Sequence, residues 1–304
     1  MLAVLVLVPL GQAAQAHDGS LDPRLLDWRW EATTWSWDPW VLGTMVVVVV
    51  WFAIGVRRAG TVASRKAIWA FAAAMAWLIV ALVSPLDTLA GDLFGVHMAQ
   101  HMILLLVAAP PLVASRLPLM LFRAFPAGVR KAMARGWLAR PAWRGTMLFL
   151  EHPITVWLLS ALALVFWHLP GPYGWAIANQ SVHTVEHVSF LLTAYGFWSI
   201  VMQTGRRRLD YGMTIVFVGT MAAVGGLLGA VLTFARHPLY AAHWQAAPAL
   251  GLSALQDQQL AGLIMWVPAS FAYLAAIVVL FHKWLADADE EVSNVRGATR
   301  PAAS

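Results

Sequence analysis

Long apolar runs alternate with short polar stretches along almost the whole chain. Seven runs, at about 39–56, 67–84, 93–115, 152–169, 182–203, 211–235 and 257–284, each come near the ~20 residues that a helix needs to cross a bilayer. The pattern predicts an all-α polytopic membrane bundle of seven transmembrane helices. A further apolar stretch at 1–16, MLAVLVLVPLGQAAQA, is too short to span and closes on Ala14-Gln15-Ala16. It reads as a signal peptide, although the basic residues that usually open one are missing. Residues 17–38 are then expected as an external segment, 39–285 as the transmembrane domain and 286–304 as a disordered cytoplasmic tail.

Charge sets the orientation. Of the 20 Lys and Arg, only Arg24, Arg29 and Arg236 lie before run 1 or in the loops after runs 2, 4 and 6. The others fall after runs 1, 3 and 5 and in the tail. Positive charge stays on the cytoplasmic side, which puts the N-terminus outside and the C-terminus inside, as a cleaved signal also would. The basic loop 116–145 interleaves Arg with Leu, Phe, Met and Trp and is expected to lie partly on the lipid surface as amphipathic helix. Run 6 carries Gly225 and Gly229 with Ala222 and Gly226 beside them, small residues that let helices approach closely.

Composition narrows the chemistry. The chain of 304 residues is 60% apolar and 12% charged, against about 25% charged in soluble domains. Its net charge of +5 follows from the topology-setting loops and predicts no nucleic-acid partner. Cysteine is absent, which removes disulfides, thiolate metal sites and covalent c-type haem. The 17 Trp suit the two membrane interfaces.

The histidines are the unexpected feature. VHMAQHM places His97 and His101 four residues apart, and SVHTVEH does the same with His183 and His187. An i,i+4 pair shares one helix face, about 40° apart with roughly 6 Å of rise, and can hold one metal ion. Both pairs fall in the outer halves of runs 3 and 5, and His168 sits at the outer end of run 4. Ionisable groups inside spans are costly, face the bundle interior and mark functional paths. Glu186, between His183 and His187, is a further candidate ligand, as are Met98 and Met102, whose thioethers favour Cu(I) when combined with imidazole. Each has a plainer reading: an imidazole can bridge two helices, and Met packs well in a core. His152, before Pro153, and His282, beside Lys283, read as structural, while His237 and His243 belong to the loop after run 6. Asp87, Asp92, Asp257 and Gln258 gather on the same side. They can cap helices or orient ligating imidazoles from behind.

Four stretches occur in order: HMAQHMILLLVAAPPL, FWHLPGPYGWAI, HTVEHVSFLLTAYGFW and GLSALQDQQLAGLIMW. With the seven-run layout they resemble the CtaG family of cytochrome c oxidase assembly factors, the Bacillus type required for caa(3)-type oxidase, over roughly residues 38 to 285. Ala254 departs from the Pro expected before the Asp257-Gln258 pair. The resemblance implies a non-enzymatic protein of the bacterial cytoplasmic membrane that works with haem–copper oxidase subunits of the respiratory chain. It further implies copper supply to the oxidase metal centres.

Other readings of the same residues stay open. Histidines on facing helices can ligate a b-type haem. Zinc also suits imidazole and carboxylate, with Glu186 as a general base if the site were hydrolytic. A metal transporter would need polar groups continuing into the inner halves of the spans. Finally, cleavage after Ala16 would leave His17 with a free α-amine beside its imidazole, an external arm able to capture copper with help from Asp18.

Overall fold

The computed structural model describes residues 35–136, 139–203, 209–240 and 247–298. The expected signal peptide, the N-terminal segment up to residue 34, His17 and His243 lie outside them. Every regular element among the described residues is a helix.

Helix α1 (Pro39–Ala59) opens on Asp38, whose carboxylate accepts from the N–H groups of Trp40 and Val41. It stops at Gly60, where φ is +56°. Helix α2 (Arg65–Leu82) is capped by Ser64, and the short α3 (Pro85–Asp92) by Ser84. The third run is α4 (Phe94–Met102), a π-helical turn (Ile103–Ala108) and α5 (Ala109–Ala114). Pro110 and Pro111 lack the N–H groups that would bond back to residues 106 and 107, and the ladder widens to π geometry just before them. The indole N–H of Trp198 donates to the carbonyl of Leu105 at 2.8 Å, inside that turn.

The basic loop forms three short helices, α6 (Leu117–Arg123), α7 (Ala127–Arg135) and α8 (Pro141–Leu150). Helix α6 packs on α1. A Cβ on Gly55 would collide with the Met120 backbone, Trp51 donates to the Leu121 carbonyl at 3.1 Å, and Arg58 donates to the Ala124 carbonyl. This part of the loop is thus bound to protein, while α7 and α8 bury no residue.

The fourth run departs from the expected single span. Helix α9 (Pro153–Trp167) has 15 residues, about 22 Å of rise, and bends by 59° from α8 at the break before Pro153. His152 makes that corner a helix start, its ring accepting from the Ile154 N–H at 3.3 Å. Next come α10 (Pro170–Ala178), α11 (Gln180–Met202), α12 (Tyr211–Thr233) and α13 (Ala254–Ala298). Among the described residues, six helical stretches are long and apolar enough to cross a membrane, or seven if the bent α8–α9 pair counts as one. Large apolar side chains such as Val46, Leu162, Leu227 and Phe271 stay exposed on them, the surface expected to meet lipid.

Helix α13 runs on through residues 286–298, part of the segment expected as a tail. Ala and Glu favour helix there, and the Tyr211 hydroxyl donates to Asp287 at 2.9 Å, holding the extension against α12. At the other end of α13, Ser253 and Gln256 exchange backbone hydrogen bonds as a capping box. Ala254, the departure from the family pattern, is simply its first helical residue.

Candidate metal centre

Helices α4 and α11 bring the two histidine pairs face to face. Ring centroids lie 4.3 Å apart within the His97–His101 pair and 4.2 Å within His183–His187. Across the helices, His97 stacks on His183 at 5.3 Å, and His101 meets His187 edge-on at 5.3 Å. The four imidazoles therefore share one depth, as their spacing predicts. Tyr173 and Phe190 close the cluster, 5.3 Å from His97 and 4.7 Å from His101.

Glu186 occupies the middle. Its Oε1 stands 3.9 Å from His97 Nε2 and 3.8 Å from His101 Nε2. Among the described residues, His97, His101 and Glu186 bring one ligand atom each within 4.8 Å of one another. Ligand atoms ~2.0–2.1 Å from one tetrahedral ion stand about 3.3–3.4 Å apart, so a shared ion would draw the carboxylate and the two imidazoles together by about half an ångström from their 3.9 and 3.8 Å separations. Glu186 is 0% and His101 1% exposed. Yet neither oxygen of Glu186 and neither ring nitrogen of His101 has a hydrogen-bond partner, nor does Nε2 of the buried His187. Buried polar atoms almost always have partners, and a group of this composition could hold a metal ion. Glu186 is thus more central than its place between two histidines in the sequence indicates.

His168 is not a fifth member. It is buried, but its Nδ1 lies 2.7 Å from the Leu164 carbonyl oxygen and its Nε2 lies 3.4 Å from Met98 Sδ. Met98 and Met102 pack in the apolar cluster around Phe94, Leu164 and Trp167, and Met98 faces His168, not the trio.

The acidic and amide residues act as supports. Asp257 reaches from α13 to the start of α4, its two oxygens accepting from the N–H groups of Phe94 and Gly95 at 2.8 and 2.9 Å. It caps, from another helix, the element that carries His97 and His101. A Cβ on Gly95 would stand 3.1 Å from Asp257 Oδ1, so glycine permits the approach. Gln258 accepts from Leu239 N–H at 2.6 Å and donates to the Leu232 carbonyl, fastening the end of α12. Asp87 accepts from Gln100 Nε2 at 2.7 Å, and the same amide donates to the Ala81 carbonyl at 2.7 Å. Asp92 is buried at the end of α3. Gln100 and Tyr240 were not singled out from the sequence. Gln100 could have been, as an amide inside an apolar run between two histidines. Tyr240, whose hydroxyl donates to the His168 carbonyl at 2.6 Å, left no such signal.

His183 and His187 also line a cavity of about 240 Å³ between α1, α2 and α11, which reaches from Asp38 to Tyr195. His237 is exposed in its loop and His282 is exposed on α13; neither joins the cluster.

No solved structure matches the chain. It is 26% identical over 266 residues to an uncharacterized protein of Mycobacterium leprae, an alignment covering 83% of this chain and 40% of that protein. Uncharacterized proteins of Mycobacterium bovis and Mycobacterium tuberculosis are each 26% identical over 271 residues, covering 83% of this chain and 39% of theirs. The chain thus spans about two fifths of the length of these relatives. The model of the cytochrome c oxidase caa3 assembly factor family matches residues 47–287. With its helical bundle and its paired membrane histidines, this chain belongs to the cytochrome c oxidase caa3 assembly factor family.

Proposed function

We infer that the chain is a non-enzymatic assembly factor that holds copper at His97, His101 and Glu186, with His183 and His187 alongside, and hands it to a haem–copper oxidase during maturation. The observation that carries this reading is the Glu186 carboxylate. It is buried among four imidazoles, with no hydrogen-bond donor on either oxygen. A carboxylate in an apolar interior is costly without a counter-charge, and one cation shared with His97 and His101 supplies it. Imidazole and carboxylate suit zinc as well as copper; membership of an oxidase assembly family favours copper. A haem fits less well, because its macrocycle would have to enter between α4 and α11, where His97 stacks on His183 and His101 on His187 and Phe190.

In this reading the site faces the external side of the bacterial cytoplasmic membrane, which the distribution of Lys and Arg among the loops supports. The cavity beside His183 and His187 offers an approach from between α1 and α11, and the oxidase subunits are the receiving partner.

Metal analysis tests the reading. The purified chain should carry or take up about one equivalent of copper at the cluster. A His97→Ala/His101→Ala double variant and Glu186→Gln should each lose it while remaining abundant in the membrane. Oxidase from cells with either variant should be depleted in copper. Unchanged metal content and an intact oxidase would sink the proposal.

A further inference from the structure

His168 is held by two contacts that do not agree with each other as ordinary packing. Its Nδ1 lies 2.7 Å from the carbonyl oxygen of Leu164, one turn back on α9. A carbonyl accepts and cannot donate, so the hydrogen sits on Nδ1. In the neutral ring Nε2 then carries a lone pair. That lone pair faces the thioether sulfur of Met98 at 3.4 Å. The sulfur has no hydrogen to offer either.

Two electron-pair donors therefore confront each other across a buried contact, with His168 5% and Met98 0% exposed. A second ring proton would relieve the contact only by placing a charge among Leu164, Trp167, Phe190 and their neighbours, where charge without a counter-ion is costly. A cation between the two atoms relieves it directly. Donors 3.4 Å apart fit one ion bonded to nitrogen and sulfur at ~2.0–2.3 Å with an angle of about 100°.

The structure assigns to Met98 Sδ and His168 Nε2 a second metal position, for a soft monovalent ion of the Cu(I) class, separate from the His97–His101–Glu186 cluster. The donor types divide the two positions. Thioether with imidazole selects Cu(I), whereas imidazole with carboxylate suits divalent ions. The backbone fixes both: Tyr240 holds the His168 carbonyl at 2.6 Å, and Met98 follows His97 on α4. This position does not depend on the cluster reading, since it shares no ligand atom with it.

The test uses the purified full chain in detergent. Under reductant, Cu(I) is titrated against a chromophoric Cu(I) chelator, and the bound copper is examined by X-ray absorption. The expected spectrum contains a copper–sulfur distance near ~2.3 Å. Met98→Leu, which nearly conserves volume, should remove that sulfur shell. It should also weaken Cu(I) binding beyond the ~10–100-fold that loss of an outer partner costs. Zn(II) uptake by the cluster should not change. Glu186→Gln should show the converse: Zn(II) lost, the sulfur-bound Cu(I) kept. Selenomethionine-labelled, unmutated chain provides a check that needs no variant, because Cu(I) should add a copper neighbour at the selenium edge. A Met98→Leu chain that keeps its sulfur shell and affinity, or labelled chain with no copper beside selenium, would overturn the assignment and leave the cluster reading standing.

Discussion

The carboxylate of Asp257 decides where the first histidine pair stands. It satisfies two buried N–H groups at the start of α4, and a buried donor left without a partner costs about 1–3 kcal/mol. Asp257→Ala should therefore lower the unfolding temperature in detergent and shrink the further rise that bound metal brings. Asp257→Asn, with one carbonyl oxygen in place of two carboxylate oxygens, should fall between. Thermal unfolding with and without added Zn(II) reads both quantities, and an Ala variant indistinguishable from the parent would remove Asp257 from this role. The histidine pairs themselves were legible, because i,i+4 spacing fixes a shared face. The target of Asp257 was not, since its partners are 163 and 162 residues away. Nor was the tethering of His168, which depends on the way α9 ends.

Helix α12 meets α13 through glycines on both. A Cβ on Gly262 would stand 2.7 Å from the Gly229 carbonyl oxygen and 2.7 Å from Thr233 N, and one on Gly229 would stand 2.8 Å from Trp266 Cβ. The two contacts at Gly262 are with backbone, and the Trp266 Cβ is fixed to its own backbone, so no rotamer relieves them and Gly262→Val should force the helices apart at a cost of ~1–3 kcal/mol or more. Because α13 carries Asp257, metal uptake should weaken along with stability. Gly219→Ala is the control: it lies on α12 with nothing within 4 Å of the added carbon. Comparing the two for melting temperature and bound metal checks the claim, and equal behaviour would refute it. The small-residue stripe of run 6 was readable as a close-packing surface. Its counterpart was not, because Gly262 stands alone in its run and gains meaning only opposite Gly229. The bend before Pro153 had a local signal, since a residue preceding Pro is biased away from helix, but run hydrophobicity masked it.

For the molecule as a whole, the two ends of the bundle differ in charge. Arg57, Arg58, Arg65 and Lys66 mark the α1–α2 end, and the imidazoles lie at the start of α4 and α11, toward the other. A reporter fused near Arg130 should behave as cytoplasmic and one near Asn179 as external; the reverse would put the histidines on the inner side and leave the oxidase delivery route without support. The succession of membrane-length apolar runs was legible because lipid imposes a length rule on sequence. The internal corner of the fourth run and the helical tail were not, since they follow from neighbours. The π-turn at Ile103–Ala108 carries a further implication. It takes up one more residue than a regular turn, and each helical residue advances the helix by about 100°. Wound as regular α-helix, the same residues would turn the histidine-bearing half by about 100° against the half beyond Pro110 and Pro111. The π-turn absorbs the surplus residue, so deleting one residue there should leave the imidazoles aimed at Glu186, whereas inserting one should turn them away. The span works as a vernier, set by how many residues a single turn holds.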